Sequence, residues 1–267
     1  AYELAVPAGT AYTADRLSKR TGGGGLGLLA LLAAGVSADL GSWRTPFSFH
    51  LLALGFLFLA ILVVPGPRPG TTSAPRSTGS LKPLLPIYLC CVPLFITVFT
   101  TSVQAPFLLE SVGVDSAGLQ SRVLALGVLA HAIGAWSFGT VMTRLGRRGS
   151  LALALGLMSL GHLLLGLADS AVVVAAGCVT TSLGSGMLVP YLTHTLVERT
   201  QPALRGRALG LFPVFTFLGS LCNPLAYTPL TAWLGIQGAL TLVAVALGVG
   251  AVAGCMVMAR SGTAPSF

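Results

Sequence analysis

The chain has 267 residues, 54% apolar and 8% charged, with fifteen Lys and Arg against seven Asp and Glu. A soluble domain carries about 25% charged residues, so this composition and a mean hydropathy of +0.87 exclude that class and point to a membrane protein. The pI near 9.8 would suit nucleic acid, but the basic residues sit in short gaps between apolar runs, which is a topology signal and not a phosphate-binding stripe.

The five cysteines all lie inside apolar runs and show no metal-ligand spacing with His, so they read as small packing residues. Cys90 and Cys91 are adjacent and face different sides of a helix, and no disulfide framework follows. The first residues lack the basic start and apolar stretch of a signal peptide. With Ala1 first, the expectation is a fragment that begins within a protein.

Charge-free windows give the predicted spans. A bilayer core of about 30 Å needs roughly 20 helical residues. Glu3 to Asp15 leaves only eleven, so residues 1–14 are expected to be the tail of a helix, followed by the aqueous loop Asp15–Arg20. Residues 21–38 form the first full window, weakened at its start by Gly22 to Gly25, each costing about 1 kcal/mol relative to Ala. Residues 45–67 form the second. A Pro/Gly/Ser/Thr-rich linker at 65–82 cannot bury a core. Residues 83–109 make a third span crossed by Pro83, Pro86 and Pro93, then come 123–143, 149–168 and 170–197. The 52 positions of 208–259 are charge-free, enough for two more spans, with the break expected between Asn223-Pro224 and Pro229.

The total is eight predicted spans in an all-α, multi-pass transmembrane bundle. An even number places both ends on one side. Thirteen of the fifteen basic residues then share the side of Arg16, and only Arg44 and Arg122 lie opposite, beside Asp39, Glu110, Asp115 and Asp169. By the positive-inside rule the arginine-rich face is cytoplasmic, in an inner or plasma membrane.

The densest basic stretch is Gly139 to Gly149, read as a glycine-bounded wet turn with Arg144, Arg147 and Arg148. A short repeat adds to the picture. Arg20 followed by a glycine-rich apolar run and Trp43 is echoed by Arg205-Gly-Arg-Ala-Leu-Gly and Trp233, an offset of 185 residues with six spans between the copies. Two six-helix halves in one orientation would give such a spacing.

Three motifs resemble those of the major facilitator superfamily (MFS). Gly139-x-x-x-Thr143-Arg144-x-Gly146-Arg147-Arg148 is similar to the family's Gly-x-x-x-Asp-Arg-x-Gly-Arg-Arg loop between helices eight and nine. Gly41-Ser42-Trp43-Arg44 with Phe47 is similar to the turn after helix five. Arg205 to Gly210 is similar to the entry into helix eleven. The resemblance implies residues 1–64 as the last two spans of an N-terminal half, 65–82 as the central cytoplasmic linker and 83–267 as a complete C-terminal half. It also implies a secondary transporter working by alternating access, with efflux of drug-like or metabolite molecules as the first reading and proton coupling a plausible addition. Small-nutrient uptake and a truncated, non-transporting scaffold or regulatory protein stay open beside it. Implied partners are a small-molecule substrate, protons and the lipid bilayer. Neither cofactor nor metal nor nucleic acid is implied, and a monomer is expected. The departure is Thr143, which stands where the family's loop has Asp. In the family that acid latches onto the positive end of a helix in the other half, here by pseudo-symmetry the start of the 21–38 span.

The resemblance implies a cavity lined by the spans at 83–109, 123–143, 170–197 and 208–228, with 149–168 and 232–259 peripheral. An ionisable residue at mid-depth is a functional candidate by default. His131 is central in its span and could bind substrate or carry a proton, or simply bond a neighbouring helix. His162 falls on a peripheral span and reads as packing, and His50 and His194 lie nearer the interfaces. Thr97, Thr100 and Gln104 lie on the proline-crossed span, as helix–helix hydrogen bonders or substrate contacts, with Gln104 near the outer end where a gate would sit. Asn223-Pro224 is expected to break its span and free a carbonyl. Tyr191 is placed to cap the cavity or anchor at the interface. Ser182, Gly184, Ser185 and Gly186 read first as close helix packing. No Ser/His/Asp grouping, paired carboxylates or phosphate loop is visible, so an enzyme is not expected.

Overall fold

The computed structural model describes residues 28–41, 44–63 and 79–261. The helix tail, first basic loop and repeat copy read at 1–20, most of the 65–82 linker, and Trp43 fall outside them. The described elements are all helical: α1 (Leu28–Leu40), α2 (Thr45–Val63), α3 (Lys82–Ser111), α4 (Ala117–Gly166), α5 (Ala171–Glu198) and α6 (Arg205–Ser261). α2 and α3 open with a tight 3-10 turn, and another, Pro202–Leu204, precedes α6.

α4 and α6 run for 50 and 57 residues. A straight helix rises about 1.5 Å per residue, so each would be more than twice as long as the roughly 30 Å hydrocarbon core. Each is broken at one glycine: Gly146 (φ 65°, ψ −174°) in α4 and Gly235 (φ 69°, ψ 169°) in α6. That backbone region is essentially closed to residues with a Cβ. The breaks divide α4 into α4a (117–145) and α4b (147–166), and α6 into α6a (205–234) and α6b (236–261).

The packing shows that the chain reverses at both glycines. One core cluster joins Leu84 and Tyr88 of α3, Leu155 of α4b, Leu192 and Leu196 of α5, Phe212 of α6a and Leu247 of α6b. A second joins Leu108 and Leu109, Leu165, Val174 and Cys178, Tyr227, and Leu240 of the same helices. Following residue numbers from one cluster to the other, α3, α4b and α6a run one way while α5 and α6b run back. α4a runs with α5, because Gly127 lies beside Ser182 and Phe138 stacks edge-on against Tyr191. The six arms from 82 to 261 therefore alternate in direction. One end of the bundle gathers Lys82, Arg144, Arg147, Arg148, Arg199, Arg205 and Arg207. The other gathers Glu110, Asp115, Arg122 and Asp169.

Two expectations need correcting. The helix does not break between Asn223 and Pro229; it passes through Pro213, Pro224 and Pro229 and turns at Gly235. Each proline lacks an N–H, but a helix in lipid loses less by leaving one carbonyl to a neighbour than by unwinding and exposing several backbone groups. The basic stretch 139–149 is also not a turn along its length. Gly139, Thr143 and Arg144 are helical, and the reversal is concentrated at Gly146.

α1 packs against the start of α4a, where a Cβ on Gly35 would collide with Ser121. α2 is different: every residue of Leu51–Val63 is exposed, in a uniformly apolar helix. Such a surface suits lipid or further protein and not water.

Gly235→Ala should cost about 1–3 kcal/mol of stability and lower the thermal midpoint of the detergent-solubilised protein. Gly139 is helical with open space where a Cβ would go, so Gly139→Ala should be neutral or stabilise by up to about 1 kcal/mol.

Candidate functional site

Between the two apolar clusters lies a level of polar side chains, one or more from each arm except α6b. α3 brings Thr97, Thr100 and Thr101, α4a His131, α4b His162, α5 Thr181 and Ser185, and α6a Asn223. Each sits near the middle of its arm except His162, which lies nearer the acidic end of α4b. Among the described residues, no Asp, Glu, Lys or Arg is found at this level.

Asn223 is fully buried, and its amide spans the α3–α6a contact. Its Nδ2 donates to the Ile96 carbonyl at 2.8 Å and to Thr100 Oγ1 at 2.9 Å, while Thr100 donates back to the Ile96 carbonyl at 2.8 Å. The side chain expected to mark a helix break instead cross-links two intact helices. One turn on, the Tyr227 hydroxyl is buried near Thr100 without a hydrogen-bonding partner. The same is true of Asn223 Oδ1, Thr101 Oγ1 and Thr181 Oγ1. Tight packing makes this level possible. A Cβ on Gly219 would meet Phe95 and the Val92 carbonyl of α3, and Gly161 and Gly184 press α4b against α5.

His131 is half-buried and its Nδ1 lies 3.2 Å from Ser185 Oγ. Ser185 gives its own proton to the Ser182 carbonyl at 3.2 Å. With that bond kept, the neutral tautomer that fits both contacts carries its proton on Nδ1, which leaves Nε2 as the basic nitrogen. That Nε2 has no partner among the described residues and is not sealed from the surface. His162 contrasts with it. It is fully buried, bonded through Nδ1 to the Met158 carbonyl at 2.8 Å, with Nε2 sealed near the Thr97 backbone. The expectation of a packing histidine agrees with this geometry, in which the side chain faces the interior of the bundle.

The remaining candidates do not join one cluster. Gln104 is half-buried on α3 with no side-chain hydrogen bond among the described residues. Tyr191 is buried in the apolar cluster nearer the arginine-rich end, edge-on to Phe138 at 6.5 Å. Gly184 and Gly186 are contact residues: a Cβ on the first would meet the Ala154 carbonyl and Met158, and on the second the His131 backbone.

At the arginine-rich turn, Thr143 turns its hydroxyl back to the Thr140 carbonyl at 2.9 Å and reaches no other helix among the described residues; the start of the 21–38 span, its expected latch partner, lies outside them. Arg147 makes the long-range contacts, to Glu198 at 2.9 Å and to Thr195 at 3.3 Å on α5. His194 Nδ1 is 3.6 Å from the same Glu198 oxygen. Sequence reasoning missed Glu198, although it is the one acid among the basic gaps between 139 and 207. Arg148 shows no such contact.

At the opposite end, Asp39 of α1 reaches the first turn of α4a. Its Oδ2 accepts from Ser116 Oγ at 2.7 Å and from the Gly118 N–H at 2.8 Å. The Ser116 hydroxyl first, then the Gly118 amide, hold this carboxyl below the usual carboxylate range, with Arg122 adding to the effect. Nothing in the pattern around Asp39 signalled a partner so far along the chain.

A family model described as Major Facilitator Superfamily matches residues 87–266, well over half of the chain. No curated protein matches the sequence.

Asn223→Ala should destabilise the α3–α6a contact by about 0.6–1.7 kcal/mol, the range for buried hydrogen bonds in membrane bundles, read from denaturant titration in detergent. Arg147→Gln should cost less than about 1 kcal/mol, because both partners are part-exposed.

Proposed function

The chain belongs to the Major Facilitator Superfamily, a family of membrane transporters, and from that premise we propose that it carries a small solute across the membrane by alternating access. The observation that carries the reading is the level of buried and part-buried polar side chains at mid-depth, between two apolar clusters. Residues 83–267 form one six-helix half, 1–64 belong to the other, and the linker 65–82 joins them. The solute binds between the halves, and their rocking exposes it to each side in turn.

The chemistry of that level favours a solute without strong fixed charge. Thr97, Thr100, Thr101 and Asn223 are neutral, and a buried ionic group would need a countercharge that the described arms lack at this depth. Drug-like or metabolite molecules fit, and efflux is the proposed direction. The arginine-rich end is placed in the cytoplasm of a plasma membrane by the positive-inside rule, and the working unit is a monomer.

His131 is the proposed proton carrier. It is the mid-depth ionisable group whose second nitrogen is not sealed, and Ser185 orients it. A proton taken by Nε2 makes the ring cationic, and the Ser185 oxygen accepts from Nδ1–H in both states. Binding and release of that proton on opposite sides would couple solute movement to a pH gradient.

Flux into proteoliposomes across a solute panel, with and without a pH gradient, tests the reading. His131→Ala should abolish flux or its dependence on the gradient while membrane insertion stays intact. Unchanged flux and unchanged pH dependence would remove His131 from the mechanism. Ser185→Ala should shift the pH profile without abolishing flux.

A further inference from the structure

We propose that Asp39 and the first turn of α4a form a clasp that holds the acidic end of the molecule closed. The two sides of this contact are 77 and 79 residues apart in sequence, before and after the linker. It therefore joins the segment assigned to one half to the segment assigned to the other, and it rests on the alternating-access reading only for its role in a cycle.

Two independent features of α1 build the contact. Gly35 and Asp39 are four residues apart and share one helix face. Gly35 brings the backbones together, since a Cβ there would run into Ser121 and the Ala117 carbonyl. That approach places the Asp39 carboxylate over the open N-terminus of α4a, where the amide groups carry no helical partner and the helix dipole favours an anion. Ser116 serves both sides. Its hydroxyl donates to Asp39 and its oxygen accepts from the Leu119 N–H at 3.2 Å, so the cap of α4a and the seat of the carboxylate are one group. Gly118 completes the seat: a Cβ there would occupy the place of the Asp39 carboxylate oxygen. Arg122, one turn further, is the basic group facing the carboxylate, and it sits at the end that is otherwise acidic.

The strength suits a part that opens in every cycle. Asp39 is exposed to solvent, and a carboxylate at an exposed helix N-terminus shifts an equilibrium about two- to fivefold, not by orders of magnitude. A deeper ion pair would lock one state. Thr143 on the arginine-rich face bonds the Thr140 carbonyl, and its expected latch partner at the start of the 21–38 span lies outside the described residues.

The test is hydrogen–deuterium exchange of the full chain in lipid nanodiscs, comparing wild type with Asp39→Ala, Asp39→Asn and Gly118→Ala. The Gly118 variant separates the clasp from helix stability, because Ala raises the helix propensity of α4a while displacing the carboxylate. Exchange over 28–41 and 116–121 should rise about two- to fivefold in Asp39→Ala and Gly118→Ala, and less in Asp39→Asn, which keeps an acceptor oxygen. In a protein that rocks, exchange over 144–150 should fall in the same variants. Unchanged exchange at 116–121 in both Asp39→Ala and Gly118→Ala overturns the clasp. A rise there with no fall at 144–150 supports the clasp and counts against the rocking cycle.

Discussion

A peptide group in hydrocarbon has no water to bond, so every backbone N–H and C=O must be paired within its own helix or by a neighbour. The rest of this structure depends on that constraint. It explains why α6 runs through Pro213, Pro224 and Pro229 without unwinding, and it suits the two reversals inside α4 and α6, each compressed into a single residue. Only glycine adopts the backbone found at Gly146 and Gly235 without strain. It also explains the company of polar side chains at mid-depth. Thr97, Thr100, Thr180 and Thr193 each return a hydroxyl proton to a carbonyl three or four residues back, while Asn223 uses its amide to tie α3 to α6a.

Association between the arms follows from the same solvent. Lipid tails are as apolar as Leu, so helices are held by close contact and hydrogen bonds and not by a hydrophobic drive. Gly134, Gly161, Gly184, Gly186 and Gly219 supply the close contact at helix crossings. The polar level sits between two apolar clusters, one toward each end. A solute site at that level would have a neutral, hydrogen-bonding character, with one ionisable side chain, His131, left reachable.

Much of this was legible in the sequence because charge is so scarce. Each charged residue marks a place that must be wet, and the windows between them located α2, α3 and α5 to within a few residues. The resemblance around Gly146 and Arg205 identified the family that the match over residues 87–266 shows. Where no charge intervened, the reading failed. Within 208–259 the prolines offer the only visible break, and Gly235, one of 34 glycines, carries no local signal. Long-range pairs were also illegible, since Arg147 with Glu198 and Asp39 with Ser116 depend on which helix ends meet. His162 reads as a packing residue on a span away from the expected cavity, and its side chain is sealed inside the bundle, because a span distant from a cavity can still be central to its own half.

The central structural claim is that α4 and α6 each reverse at one glycine, at opposite ends of the bundle. Leu145 and Leu234 are exposed residues beside Gly146 and Gly235, so single cysteines there report the two ends directly. With a membrane-impermeant thiol reagent on sealed, oriented vesicles, Leu145→Cys should react only from the arginine-rich side and Leu234→Cys only from the other. Reaction of both from the same side would contradict the account.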